Sequence, residues 1–392
     1  MELPHGVHLA YCTNIHPAET WAETLAALER CTLKVRDAVG CQNPGRPFGI
    51  GLRLGDTASR ELAQPEALGR FRGWLERNRC YVFTINGFPY GQFHGKRVKE
   101  QVYRPDWSTP ERLGYTRRLL AILAGLLDLA PAGCEGSVST LPVSFKAFGL
   151  DASQRRAAVR NLWECVDQME TLSAATGRAL HLGLEPEPLC TLETTAETVA
   201  FFEELAAERP GDARWRNFLG VNFDVCHLAC EYEEPRASFA ALRAGGIRVS
   251  KIHLSSALRV RPTPAAREAL KPFTDDVYLH QVIAGTGSRR LRAHLDLADA
   301  LQAAPRGDET EWRVHFHVPL HMEEGSVFGT TAAANLQALE CLAADPALCR
   351  HLEMETYTWG VLPAALRSRN VVDQLAAEYA WCLAQWERLI GK

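Results

Sequence analysis

In the run Ala179-Leu180-His181-Leu182-Gly183-Leu184-Glu185-Pro186-Glu187-Pro188, a short apolar stretch of strand character ends abruptly in a carboxylate followed by proline. An apolar run this short, closed by a breaker, reads as a parallel strand covered on both faces. A carboxylate at the end of such a run is buried and unpaired, which is costly unless a cation neutralises it. Three other stretches end in the same way: Val221-Asn222-Phe223-Asp224-Val225-Cys226-His227, Lys251-Ile252-His253 and Glu353-Met354-Glu355-Thr356.

The predicted strands are Val7–Thr13, Phe48–Leu54, Tyr81–Asn86, Gly136–Leu141, Ala179–Glu185, Leu219–Asp224, Val249–Leu254 and His351–Thr356. Helical spacing of apolar residues fills the gaps, over Pro17–Val39, Pro65–Arg77, Leu113–Leu129, Asp151–Thr176, Thr195–Glu208, Pro235–Ala244 and Asn370–Leu389. Ser108-Thr109-Pro110-Glu111 has the form of a capped helix start, Thr194 or Thr195 caps another, and Gly177 is a left-handed terminator. Strands alternating with helices in this number predict an α/β fold of the (β/α)8 TIM-barrel type, one domain over residues 1–392 with long loops at the C-terminal face. An open doubly wound sheet is the alternative, weakened because no G-x-G-x-x-G follows the first strand. Two stretches exceed a minimal barrel, Gly87–Trp107 and Ser255–Gly329, the second with a further strand-like run at Trp312–Val318. Loops of this length at that face shape pockets.

Composition narrows the function classes. The 392 residues are 46% apolar and 23% charged, with a net charge of −4, so no electrostatic case exists for nucleic acid or a membrane surface. No apolar run reaches the ~18 residues of a membrane span. Met1-Glu2-Leu3-Pro4-His5 lacks a basic region leading into an apolar one, so export is not expected. The twelve cysteines form no C-x-x-C pair, and Cys226 and Cys230 read as core thiols. A reducing, cytoplasmic setting follows as the expectation.

Side chains at the C-terminal strand ends of a barrel converge on one site. A mixed shell of carboxylates and imidazoles from these strand ends would suit manganese, zinc, iron or cobalt better than calcium. Taken singly, each position has a plainer reading: a strand-end Glu as a salt-bridge or cap residue, Asp224 as a cap, His227 or His253 as a hydrogen-bonded core histidine. Their succession on one face of one predicted barrel is what favours a metal. Glu353 and Glu355 lie two apart and point to the same side, with Glu355 nearer the strand end; Glu187 is read as a loop residue outside the first ring of contacts. Arg53 would suit a carboxylate or phosphate, or could pair with a structural acid.

The runs Leu184-Glu185-Pro186-Glu187-Pro188, Asp224-x-x-His227, Ile252-His253 and Met354-Glu355 resemble the xylose-isomerase-like TIM-barrel superfamily, which holds metal-dependent sugar isomerases and epimerases and the zinc endonucleases of abasic DNA. More narrowly, Leu9–Pro17, Phe83–Gly91 and Tyr103–Trp107 resemble the EboE family of metabolite traffic proteins, whose gene clusters handle a secondary metabolite. The resemblance implies Glu185, Asp224, His253 and Glu355 as ligands of one divalent metal, with Glu185 and Glu355 as the catalytic pair. It implies His227 as a contact to a small-molecule metabolite, and Arg53, Asn86 and Trp359 are further candidate contacts. His227, His315 and His317 are the residues for a second metal, where His315 departs from the endonuclease pattern of Asp-x-His. A third ion is not expected, because Arg53-Leu54 and Asn86-Gly87 stand where the endonucleases carry histidines, although His16 and His94 in nearby loops could substitute. Three functions follow: isomerase- or epimerase-type proton transfer, hydrolysis of a phosphate ester, and non-catalytic metabolite binding.

Overall fold

The computed structural model describes residues 1–40, 46–92, 98–363 and 369–391. Eight parallel strands form a barrel: β1 (Val7–Tyr11), β2 (Phe48–Arg53), β3 (Cys80–Asn86), β4 (Gly136–Thr140), β5 (Leu180–Leu184), β6 (Leu219–Asp224), β7 (Arg248–Leu254) and β8 (His351–Met354). Each matches its predicted run to within two residues at either end. Hydrogen bonding runs in order from β2 through β8 and on to β1, and an isolated parallel bridge between Cys12 and Gly51 closes the last seam. Only glycine fits at that seam, since a Cβ on Gly51 would lie 1.7 Å from Glu353 Oε1 and 2.8 Å from the Tyr11 carbonyl oxygen.

Several helices start where side chains satisfy their first N–H groups. Thr20 with Glu23, Asp151 with Gln154 and Thr194 with Glu197 form reciprocal capping boxes, and Thr109 caps the helix Pro110–Ala124. The first helix therefore begins at Trp21 rather than Pro17. The third predicted helix stops at Ala124, before Gly125, and Leu127–Leu129 is a separate 3-10 turn. No helix among the described residues is long and apolar enough to cross a membrane.

Alternation along the strands sends Leu9, Leu52, Ile85, Val138, Leu182, Phe223, Ile252 and Leu352 outward against the helices, where they are buried in the main core. The barrel interior is instead polar. At its closed end His8 Nδ1 is 2.7 Å from Tyr81 Oη, His351 Nδ1 is 2.8 Å from Ser137 Oγ, and the His181 and His351 rings are 5.2 Å apart. Burial holds His8 down to about 4, helped by the N-terminal ammonium, and holds His181 down to about 4, helped by Arg248. Burial and the neighbouring His181 hold His351 well below its usual range.

These histidines are neutral when folded, whereas unfolded imidazoles take up protons near ~6.5. Below that pH the unfolded chain binds more protons, so stability falls as pH drops from ~6.5 through about 4. The urea midpoint is expected to decline steadily from pH 7 to pH 5, and less steeply in His181→Gln. A midpoint flat across that range would show that the cluster does not titrate on unfolding.

Between β7 and β8 the chain builds an antiparallel sheet from Leu258–Val260, Val282–Gly285, Arg290–His294, Glu311–Val314 and Gly329–Thr330. It has its own apolar cluster around Leu270, Phe273, Trp312 and Phe316. Its two ends are clasped together: Ala257 N donates to Thr331 Oγ1 at 2.9 Å and Thr331 N to Ala257 O at 3.1 Å. The strand predicted over Trp312–Val318 ends at Val314. Beyond it Phe316 N folds back on Val314 O at 2.7 Å and Val318 N reaches Ser256 O at 2.8 Å, which carries His315 and His317 out of the sheet and towards the barrel mouth. The cysteines among the described residues are all free, and Cys226 and Cys230 are buried.

Candidate metal centre

The ends of β5, β6, β7 and β8 bring Glu185, Asp224, His253 and Glu355 together, with one ligand atom from each lying within 4.8 Å of the others. Register does the positioning: Asp224 is paired with His253 across β6–β7, and His253 with Glu353 across β7–β8. Glu185 N is held by Thr140 O and Glu355 N by Leu254 O, each at 3.0 Å, just beyond their strands. His253 Nδ1 stands 3.1 Å from Glu185 Oε1, 3.4 Å from Asp224 Oδ2 and 3.1 Å from Glu355 Oε2.

One layer down, Glu353 Oε2 accepts from His253 Nε2 at 2.8 Å and from Lys251 Nζ at 2.5 Å. That carboxylate keeps the ring proton on Nε2 and leaves Nδ1 to face the ring of carboxylates. A nitrogen lone pair encircled by carboxylates repels them unless a proton or a cation lies between. In the metal-free chain the proton wins. Burial pulls His253 down, but the charges of Glu355 and Glu185 outweigh it and hold the imidazole well above its usual range. Burial pushes Asp224 up, yet His227 and His253 hold it well below the carboxylate range.

A divalent ion suits this cradle. Glu185 Oε2 and Asp224 Oδ2 are buried without a hydrogen-bond partner, and three carboxylates with one imidazole are the donor set of zinc, manganese or iron sites.

Beside this cradle lies a second set. His227 Nδ1 is 3.1 Å from Pro186 O, His315 Nδ1 is 2.7 Å from Gln281 Oε1, and His317 Nδ1 is 2.8 Å from Glu355 O. Each acceptor fixes the proton on Nδ1 and turns Nε2 inward, so that the His315 and His317 Nε2 atoms sit 3.3 Å apart. Asp224 completes a metal-sized trio with His227 and His317, and Glu187 does so with His227 and His315. Burial pushes Glu187 up to about 7, and its Oε1 accepts from Tyr103 Oη at 2.7 Å.

Both sets border one cavity, to which Asn14, Glu185, Glu187, His227, His315 and Glu355 contribute. Of the expected metabolite contacts, His227 faces it. Asn86 does not; its Nδ2 donates to Glu355 Oε1 at 3.3 Å, beside Asn14 Nδ2 at 2.7 Å, and so it positions that carboxylate. Arg53 is turned away, because its guanidinium donates to Ala18 O and Gly91 O and pairs with Glu19. Trp359 packs between the barrel core and the core of the antiparallel sheet, while Tyr357 of the same turn faces the cavity. His16 bonds Tyr11 Oη at 3.1 Å and joins neither set, and His94 lies outside the described residues. Asn14, Tyr103 and the cavity-facing position of Glu187 are what the sequence reading missed.

No protein-family model matches the chain, and no curated protein matches it in sequence. Among solved structures it is similar to a D-tagatose 3-epimerase-like protein over 97% of this chain and 98% of that one, with a TM-score of 0.53 and 10% identity. It is also similar to a xylose isomerase-like TIM barrel protein from Mycobacterium smegmatis, determined in complex with magnesium, over 100% of both chains, with a TM-score of 0.53 and 14% identity. The fold is that of the xylose isomerase-like TIM barrels.

Proposed function

We propose that this chain is a metal-dependent barrel enzyme that moves a proton on a small polyhydroxylated metabolite, an isomerase or epimerase in reaction type. The observation that carries this reading is an asymmetry within the cradle: Glu185 and Glu355 line the cavity, whereas Asp224 and His253 lie behind them. The carboxylates that would hold the metal are thus also the ones a substrate touches. A bound divalent ion would supply charge that acidifies a C–H beside a carbonyl.

The chain's own residues supply the rest. Asn14 and Asn86 donate to Glu355 Oε1 and fix the orientation of that carboxyl group. Glu185 Oε2 has no partner and is the oxygen placed to take a proton, with Glu355 returning one to the other side. His227 offers Nε2 to a substrate oxygen. The narrower resemblance to EboE would set this chemistry in a secondary-metabolite pathway.

The second reading is phosphate-ester hydrolysis, favoured by the inward Nε2 atoms of His227, His315 and His317 beside the cradle. Elemental analysis, followed by NMR detection of deuterium uptake by ketoses in heavy water, separates the readings. One tightly held ion per chain and a second lost early on dialysis are expected. At saturating metal, exchange should fall by about 10²-fold or more in Glu185→Gln. Release of phosphate from an ester without any exchange would favour the hydrolase, and metal with neither activity would leave a binding protein.

A further inference from the structure

Beside the carboxylates and histidines, the rest of the cavity lining is largely apolar and aromatic, with Phe88, Val102, Tyr103, Tyr278, Leu279 and Tyr357. The rings are fixed in advance. Tyr103 is stacked between Phe88, at 5.7 Å and 28°, and Phe145, at 4.6 Å and 3°. Its hydroxyl is pinned between Glu187 at 2.7 Å and Gln281 Nε2 at 2.9 Å. Tyr278 meets Tyr357 edge-on at 5.5 Å and 72°. The two sides of the wall come from the loop after β3 and from the insertion after β7, and they are joined where Val98 N and Lys99 N donate to Val277 O at 3.2 and 3.3 Å.

Charge is as one-sided as polarity. Lys99 is the one lysine or arginine among the described lining residues, and its ammonium is fully engaged: 2.6 Å from Asp296 Oδ2, 2.7 Å from Asp275 O and 2.7 Å from Tyr278 O. A phosphate or carboxylate entering here would meet Glu185, Glu187 and Glu355 with no free lysine or arginine from these residues to receive it. A free sugar would press hydroxyls against Leu279, Val102 and Phe88, where they find no partner.

We infer that the cavity takes an uncharged, amphipathic ligand, with neighbouring oxygens at the polar end and an aromatic or other apolar group against the Phe88–Tyr103–Tyr278 wall, in preference to a free sugar or a sugar phosphate. The polar half of this assignment rests on the proton-transfer reading; the apolar half rests on the wall alone.

Calorimetric titration of the manganese-loaded protein tests it with three probes that share one head group. These are 2-hydroxyacetophenone, dihydroxyacetone and dihydroxyacetone phosphate. The aryl ketone is expected to bind about tenfold or more tighter than either triose, and Leu279→Ser and Val102→Ser should each reduce that ratio to about two or less. Equal affinity for the aryl ketone and dihydroxyacetone, tightest binding of the phosphate, or a ratio that survives both substitutions would overturn the assignment. Deuterium uptake at the hydroxymethyl carbon is read in the same samples. Aryl preference without exchange sinks the proton-transfer chemistry and keeps the ligand class, while exchange without preference does the reverse.

Discussion

Asp224→Asn is expected to cut the tightly held metal from about one equivalent per chain to below about a tenth after dialysis, because loss of a charged ligand weakens a site by at least the ~100-fold that a supporting residue can cost. The fold should survive. Asp224 Oδ1 accepts from His227 N at 2.9 Å and from Ser255 Oγ at 2.7 Å, capping the helix Val225–Cys230, and an amide oxygen can keep both bonds. What disappears is the negative charge at Oδ2, the atom that faces His253 Nδ1. His253→Ala should lose metal as well, by removing the nitrogen. Metal measured by elemental analysis and folding followed by circular dichroism decide the matter together: wild-type metal content in both variants would remove these residues from the metal shell.

Lys251→Met should be the most damaging single change to stability, at about 3–5 kcal/mol. Lys251 and Glu353 are both fully buried inside the barrel and 2.5 Å apart. Without the ammonium, Glu353 keeps only His253 as a partner, in an interior already crowded with the charges of Glu185 and Glu355. Pairing Lys251→Met with Glu353→Gln should recover more than half of the loss, since the amide oxygen can still accept from His253 Nε2. Urea unfolding of the single and double variants closes the cycle, and strictly additive costs would show that the pair is not coupled.

The barrel was legible because its strands are buried on both faces, so that each is a short apolar run cut off by a breaker. The four residues of the cradle were legible for the same reason: a carboxylate or imidazole ending such a run has nowhere polar to go unless several meet. Lys251 and Glu353 carried the same signal, each two residues before a member of the cradle and so on the same inward face. Asn14 and Tyr103 come from loops, where no period says which way a side chain points. Arg53 misled because its position at the end of β2 is inward, yet a side chain that long can swing outward to carbonyls of two neighbouring loops. The antiparallel sheet was reduced to one strand-like run because its other strands are short, and Arg290–His294 is only half-buried, which blunts alternation.

The clasp between Ala257 and Thr331 separates two kinds of inheritance. Everything between those residues leaves and re-enters the barrel at one place on the rim, and its further ties run to neighbouring loops and helix ends, such as Val98 N and Lys99 N donating to Val277 O, so its length and sequence can drift without disturbing the register that places Asp224 beside His253. Selection on which molecule is admitted therefore acts on one continuous stretch of gene, and selection on the cradle acts on scattered strand ends. His315 and His317 lie inside the exchangeable stretch. A lineage that replaced this roof would change its ligand and its capacity for a second ion in the same event.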